Sequence, residues 1–134
     1  MDELLRQAVR SRAGNRCEYC HLPEADVVTP YQVEHVIARQ HAGSGSLANL
    51  AYSCLRCNLH KGPNLAGIDP ITKKLTGLFN PRLQRWTRHF RWEGPLLVGK
   101  TAQGRTTIEV LAMNDSDRIA LRQELLKQGL LPRE

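Results

Sequence analysis

The sequence is poor in aromatic residues and has no long apolar run. Aromatic side chains make up 5% of the 134 residues, so a buried core must rely on Leu, Val, Ile and Ala. No stretch approaches the ~18–20 apolar residues of a membrane-spanning helix. The opening MDELLRQAVR carries acids near its start and lacks the pattern of a secretory signal or transit peptide. These absences predict a cytoplasmic protein with no membrane partner.

Acidic residues are also scarce relative to basic ones. The chain has 19 Lys and Arg against 13 Asp and Glu, which gives a formal net charge of +6. This excess favours a polyanionic partner, most simply nucleic acid, because basic side chains displace the counterions of phosphates. A basic surface with no such partner is the alternative, and composition alone leaves both open.

The only four cysteines form two Cys-x-x-Cys pairs, Cys17/Cys20 and Cys54/Cys57. Thiols in the cytoplasm stay reduced, which argues against disulfides. Each pair can turn two thiolates toward one metal, and two pairs complete the tetrahedral four-sulfur shell of zinc. Four sulfur ligands leave no open position, so this zinc would be structural. A redox role needs only one pair, and the doubling argues against it.

Hydrophobic periodicity predicts an α+β protein. In the first part we expect a helix over 2–13, a strand over 31–37 with Val33, His35 and Ile37 on one side, a return strand over 50–53, a helix over 54–61 and mostly loop over 63–80. In the second part we expect a short helix over 81–86, strands over 89–92, 95–101 and 105–113, and a helix over 116–128. The predicted domains are 1–78 and 79–134, within one globular unit.

The cysteine pairs bracket an ordered set of polar residues. The set comprises Glu34-His35 at the end of a strand, a loop with Gly43 and Gly45, Asn49-Leu50, and the run C54-L55-R56-C57-N58-L59-H60-K61-G62. In this order it resembles the HNH endonuclease family in its cysteine-bracketed form. The resemblance covers residues 17–62 and implies a ββα-metal finger: two antiparallel strands and a helix, stapled by zinc. The predicted fold adds an N-terminal helix and a C-terminal three-stranded antiparallel sheet plus helix.

The resemblance also implies roles for individual residues. His35 corresponds to the general base, and Asn49 to the residue that pins the loop and orients that base. Glu34 and Asn58 correspond to the ligands of one Mg²⁺ or Mn²⁺ on the scissile phosphate, and oxygen donors suit such a cation. Glu34 stands where Asp is commoner, and Asn58 where the family often has His. His60 is a possible further ligand, although it also fits a solvated helix position.

Basic residues after the finger form the candidate nucleic-acid surface. Arg82, Arg85 and Arg88 would share one side of a helical turn, and Lys61 and Arg91 are additional phosphate contacts. We expect Trp86, Phe90 and Trp92 to fill a core and the arginines to be partly functional; in the alternative, the arginines merely face solvent. The sequence thus predicts a metal-dependent DNA endonuclease, expected to nick one strand, with RNA not excluded. The competing hypothesis is a zinc-stabilised binding module that does not cut. Oligomeric state is not predicted.

Overall fold

The computed structural model describes residues 2–131 and has the α+β architecture expected from the sequence. Met1 and residues 132–134, at the outer ends of the two predicted domains, lie outside the described residues. The helices are α1 (Glu3–Arg12), α2 (Leu55–Lys61), α3 (Trp86–His89), α4 (Ala102–Val110) and α5 (Ser116–Lys127). The strands are β1 (Gln32–His35), β2 (Leu50–Ser53), β3 (Ala66–Ile68), β4 (Leu75–Gly77), β5 (Phe90–Glu93) and β6 (Leu96–Gly99). Over this range, no helix has the length and apolarity required to cross a bilayer.

The chain forms two compact units. The first comprises Met1–Asn64 together with Asn80–Leu83, and the second comprises Leu65–Phe79 together with Gln84–Glu134. The chain therefore leaves the first unit, returns to it for a short segment and then enters the second unit again.

The first unit contains the predicted two strands and helix. Strands β1 and β2 are antiparallel, with a register that runs from Gln32 opposite Ser53 to His35 opposite Leu50. Every residue of β2 is buried, so this strand forms the centre of the unit. Helix α2 begins directly after β2, where the Cys54 sulfur accepts from the Cys57 amide, and ends at Gly62. The return strand and the helix over 54–61 are thus confirmed.

Strand β1 is shorter than predicted and buries the opposite face. It ends at His35, Ile37 is 37% exposed, and the buried side chains are Glu34 and Val36. The ladder stops because the Asn49 side chain, and not a strand backbone, bonds to the backbone of Ile37. It accepts from the Ile37 N–H and donates to the Ile37 carbonyl, both at 2.9 Å. The carboxylate of Glu34 therefore points inward and His35 lies on the other face.

The second unit begins with a hairpin where the sequence predicted mostly loop. Strands β3 and β4 pair antiparallel, with Ile68 opposite Leu75. The turn that joins them is held by Asp69, whose carboxylate accepts from Arg105 at 3.0 and 2.8 Å. The prediction failed because this short hairpin, with Ile68 54% and Leu75 76% exposed, lacks the alternation of a half-buried strand.

The predicted third strand over 105–113 is wrong, since most of this segment belongs to helix α4. β-Branched residues suggested a strand, but the buried positions Gly104, Thr107 and Leu111 follow helical spacing. Gly104 falls between two of the predicted strands. It lies in the first turn of α4, where an added Cβ would come within 2.1 Å of the His89 carbonyl oxygen. The glycine permits close packing of helix and backbone.

The predicted helix over 81–86 is displaced to α3, Trp86–His89. Trp86 of this helix packs with the aromatic side chains of β5 as expected, with ring centroids 5.2 Å from Phe90 and 6.0 Å from Trp92. Strands β5 and β6 follow as an antiparallel hairpin, which confirms the strands predicted over 89–92 and 95–101. Within residues 2–131 they form a two-stranded sheet, not a three-stranded one.

Helix α5 confirms the prediction over 116–128, but arginines occupy its buried face. Arg118 and Arg122 are 6% and 3% exposed. Arg118 donates to the carbonyls of Leu111 and Ala112 at 2.9 and 3.2 Å, and Arg122 donates to that of Met113. These carbonyls follow the C-terminal end of α4, where cations are favourable because of unpaired acceptors and the helix dipole.

Candidate active site

The four cysteines form one buried cluster in the first unit. Their sulfur atoms all lie within 4.8 Å of one another, and the Sγ atoms of Cys20 and Cys54 are 3.9 Å apart. In a tetrahedral zinc site with Zn–S bonds of about 2.3 Å, neighbouring sulfurs are separated by about 3.8 Å. The number, chemistry and spacing of these donors therefore fit one structural zinc ion.

Backbone geometry prepares both pairs for thiolate sulfur. The amides of Cys20 and Cys57 point at the sulfurs of Cys17 and Cys54, at 3.5 and 3.4 Å. The pKa of the Cys54 thiol is lowered, chiefly because the Cys17 thiol donates to it. Such donors stabilise the charged sulfur that coordinates metal.

A second feature of the first unit is an open cleft of about 350 Å³. Glu34, His35 and Asn58, which the family resemblance implied as catalytic or metal-binding, all line it. Strand β1 supplies Glu34 and His35, and α2 supplies Asn58. The remaining lining residues are Val33, Ala38, Arg39, Gly62 and Pro63.

Glu34 is the buried carboxylate of this cleft. Its Oε1 accepts from the Tyr19 hydroxyl, and its Oε2 lies 3.6 Å from the ammonium nitrogen of Lys61. Burial raises the pKa of Glu34 to about 7, while Lys61 and Tyr19 act in the opposite direction. Each carboxylate oxygen can accept more than one bond, so these contacts leave coordination by Glu34 possible.

His35 lies half-buried at the end of β1, with its Nε2 directed toward the glycine-rich loop. An added Cβ at Gly45 would lie 3.8 Å from this nitrogen. Arg39, four residues later, donates from Nε to His35 Nε2 at 3.4 Å. Nε2 of the ring therefore lies beside a guanidinium.

Asn49 joins the two ends of the loop between β1 and β2. Besides its two bonds to Ile37, its Nδ2 donates to the Ser44 carbonyl at 2.7 Å. The backbone carbonyl of Asn49 accepts from the backbone amide of Val36 at 2.9 Å. Gly43 fits against this frame, since a Cβ there would lie 1.7 Å from the Ile37 oxygen. The side chain of Asn49 thus ties together the backbone of the loop at Ile37 and at Ser44.

Asn58 presents the other oxygen donor. Its Nδ2 donates to Oε1 of Gln32, which leaves the carbonyl oxygen as the acceptor of that amide. With the Glu34 carboxylate, this gives two oxygen donors on one cleft, a set that suits Mg²⁺ or Mn²⁺. His60 is exposed and does not line the cleft with them.

Two residues of the proposed nucleic-acid surface have different surroundings from those expected. Lys61 is 2% exposed and donates to the Val36 carbonyl at 2.9 Å, so its charge faces Glu34 and does not reach a phosphate at the surface. Arg82 pairs with Glu18 within the first unit. It lies before α3, so it shares no helical turn with Arg85 and Arg88. Arg85, Arg88 and Arg91 are exposed.

Sequence reasoning did not identify three residues that contact the implied catalytic set: Tyr19, Gln32 and Arg39. Arg39 had a usable signal, because it follows His35 by four residues in a loop that must fold back on the strand. Gln32 shares a face with Glu34 by strand periodicity, which was a weaker signal. Tyr19 had no sequence signal, since its contact depends on how the first cysteine pair packs.

Comparison with known proteins agrees with this geometry. Residues 17–64 match the family model described as HNH endonuclease. The chain is 27% identical over 124 residues to the Septu protein PtuB of Bacillus thuringiensis, in an alignment covering 91% of this chain and 46% of that protein. The chain thus spans less than half the length of this relative. No solved structure gives a significant match. The segment 17–64, which contains both cysteine pairs and the cleft, is therefore similar to the HNH endonuclease family.

Proposed function

We propose that the chain is a metal-dependent endonuclease that hydrolyses phosphodiester bonds in DNA, one strand at a time. The observation that carries this proposal is that Glu34, His35 and Asn58 line a single open cleft in the segment similar to the HNH family. This combination supports the proposal because it brings a candidate base and two residues with oxygen donors to one cleft. Metal-assisted hydrolysis of a phosphodiester uses both features, since a water loses a proton while charge on the phosphate is stabilised.

His35 is the general base in this proposal. Its Nε2 accepts a proton from the water that attacks phosphorus, and Arg39 lies beside the same nitrogen, where it can hold a phosphate oxygen. Asn49 keeps the loop in place so that the ring stays oriented toward the cleft. An imidazole is suited to this step because one of its ring nitrogens can accept a proton.

Glu34 and Asn58 are the proposed holders of one divalent cation. Bound there, a Mg²⁺ or Mn²⁺ ion would stabilise the negative charge that develops on the phosphate and the leaving oxygen. Glu34 is kept in position by Tyr19 and Lys61, and Asn58 by Gln32. One cleft of this kind acts on one strand, which is why we expect nicking.

DNA is the proposed substrate because the chain carries a formal charge of +6 and the exposed arginines Arg85, Arg88 and Arg91. The direct test is conversion of supercoiled plasmid to the nicked form in Mg²⁺ or Mn²⁺. We expect His35→Ala to abolish nicking while DNA binding persists. His60→Ala is the matched control, since His60 is exposed and does not line the cleft. Equal activity of wild type and His35→Ala would contradict the proposed base.

The second candidate is a non-catalytic zinc module that binds nucleic acid or a protein partner. It is favoured by one observation: both oxygens of Glu34 already have partners, Tyr19 and Lys61. This candidate predicts DNA binding with no cleavage of duplex, nicked, branched or single-stranded substrates in either cation. Cleavage that depends on both His35 and a divalent cation would exclude it.

A further inference from the structure

The charges around the cleft are unusual for a site that takes up a divalent cation by itself. Glu34 is the one carboxylate among the lining residues, and the buried ammonium of Lys61 lies 3.6 Å from its Oε2. Arg39, which itself lines the cleft, adds a second positive charge. Two cationic side chains therefore oppose one anionic side chain, and the free cleft repels a divalent cation more than it attracts one.

The burial of Lys61 makes this repulsion strong. Its side chain is 2% exposed and its ammonium donates to the Val36 carbonyl, which fixes the charge beside Glu34. Charges buried from water are also less screened than surface charges. Any cation that binds the Glu34 carboxylate must therefore share it with this fixed ammonium.

The same charges favour an anion. Arg39 lies in a 3-10 turn at the mouth of the cleft, is exposed, and directs its Nε toward His35. A guanidinium in this position can grip a phosphate oxygen. The bound phosphate would reverse the sign of the local charge and supply further oxygen donors, which Mg²⁺ prefers to share with protein carboxylates.

From these charges we infer an order of binding: the DNA phosphodiester enters the cleft first, held by Arg39, and only then does the cleft bind its divalent cation tightly. Lys61 sets this order by keeping the cation affinity of the free protein low. The inference rests on the proposed function, since it concerns the same cleft and the same cation. It assigns Lys61 and Arg39 positioning roles that the sequence did not suggest.

The experiment measures Mn²⁺ binding by electron paramagnetic resonance at pH 8, in the His35→Ala background so that DNA stays uncut. We expect a short duplex oligonucleotide to tighten Mn²⁺ binding by about tenfold or more. Adding Lys61→Met should tighten binding to the DNA-free protein by a similar factor. Arg39→Met should reduce the gain that DNA produces without weakening Mn²⁺ binding to the free protein.

Two further variants keep the test decisive. Lys61→Gln also removes the charge but retains a donor for the Val36 carbonyl, in case Lys61→Met does not fold. Circular dichroism shows whether each variant is folded. Lys74→Met removes an equal charge from an exposed position of the second unit and should leave Mn²⁺ affinity unchanged. The inference is overturned if Mn²⁺ binds equally tightly with and without DNA, or if both Lys61 variants behave like Lys74→Met.

Failure of this inference is distinguishable from failure of the proposed function. Wild-type protein that nicks plasmid but binds Mn²⁺ equally well without DNA would refute the order of binding alone. Protein that binds Mn²⁺ in the expected order but leaves every DNA substrate intact would refute the endonuclease and retain the binding order.

Discussion

The Tyr19 hydroxyl donates a hydrogen bond to Oε1 of Glu34, and Tyr19 lies between Cys17 and Cys20. The same short segment therefore supplies two thiols to the cysteine cluster and one hydroxyl to the cleft. On the other side of Glu34, Lys61 belongs to α2, the helix that begins after Cys54. The two cysteine pairs thus each position a partner of the buried carboxylate.

Loss of the zinc site should therefore disrupt the cleft together with the fold of the first unit. We expect Cys54→Ser to lose its zinc and to unfold residues 1–64, because a structural zinc contributes about 10–16 kcal/mol in small finger domains, comparable with the stability of a whole domain. Zinc content measured with a colorimetric chelator and thermal unfolding followed by circular dichroism would check this. Ser11→Ala, at an exposed position of α1, is the control. A folded, zinc-free Cys54→Ser protein would contradict the role of the cluster.

The buried carboxylate predicts a specific dependence of stability on pH. Burial raises the pKa of Glu34 from 4.5 to about 7, so between these values the native state holds more protons at this site than the unfolded state. The stability that this proton uptake adds to the native state is fully present below about pH 4.5 and is lost as pH rises through 7. Relative to wild type, Glu34→Gln should gain up to about 3 kcal/mol in unfolding free energy over this range.

Urea denaturation at several pH values, with zinc bound and no other divalent cation, measures this difference. The comparison removes effects that both proteins share, including protonation of the cysteines. A constant difference between Glu34→Gln and wild type from pH 4.5 to 7.5 would show that the pKa of Glu34 is not raised.

Substitutions of Arg82 and Arg88 should differ in their effects on stability and on DNA binding. Arg82 pairs with Glu18 in partly buried surroundings, so Arg82→Ala should destabilise the first unit by about 3 kcal/mol by leaving the charge of Glu18 without this ion pair. Arg88 is exposed, and Arg88→Ala should change stability by less than about 0.5 kcal/mol. Instead it should weaken DNA binding and reduce the salt dependence by about one phosphate contact.

Fluorescence anisotropy at several salt concentrations, together with chemical denaturation, separates these effects. Extending the change to Arg85 and Arg91 should add further losses of DNA affinity. Unchanged affinity in the triple variant would assign these three side chains to an ordinary solvated surface, which is the alternative that the sequence left open.

Gly104 should be among the least replaceable residues of the second unit. A methyl group there would lie 2.1 Å from the His89 carbonyl oxygen, so Gly104→Ala must displace α4 from the backbone before β5. We expect a loss of about 3 kcal/mol or more, despite the better helix propensity of alanine. Gly45→Ala is the matched control, because its Cβ would meet only His35 Nε2 at an ordinary 3.8 Å. Equal stability of the two variants would show that α4 does not pack as described.

The fold of the first unit could be predicted largely because its signals are local. Cys-x-x-Cys spacing determines which side chains can meet at one metal, and Gly62 marks the end of α2. In the second unit, α4 was missed because Thr106, Thr107 and Ile108 resemble a strand by composition. Only packing reveals that Thr107 donates to the Gln103 carbonyl and accepts from the Phe79 amide, contacts that satisfy its hydroxyl inside a helix.

At the candidate site, the sequence indicated which residues belong together but not their surroundings. A lysine at a helix end is ordinarily solvated, and nothing in the run after Cys57 reveals that Lys61 is buried against Glu34. Similarly, the arginines of α5 gave no signal of their roles, because Arg118 and Arg122 bind backbone carbonyls in the connection between α4 and α5, which the sequence predicted as the end of a strand. Contacts of this kind depend on how the segments pack.

The return of Asn80–Leu83 to the first unit limits how this protein can be divided or recombined. A fragment cut at residue 64, or at the predicted boundary after residue 78, would carry Glu18 but not the guanidinium that neutralises it. Swapping the second unit for that of a homologue by a single crossover would exchange this segment as well. A recombined chain therefore needs additional crossovers that keep residues 80–83 with the first unit, or an oppositely charged pair at positions 18 and 82.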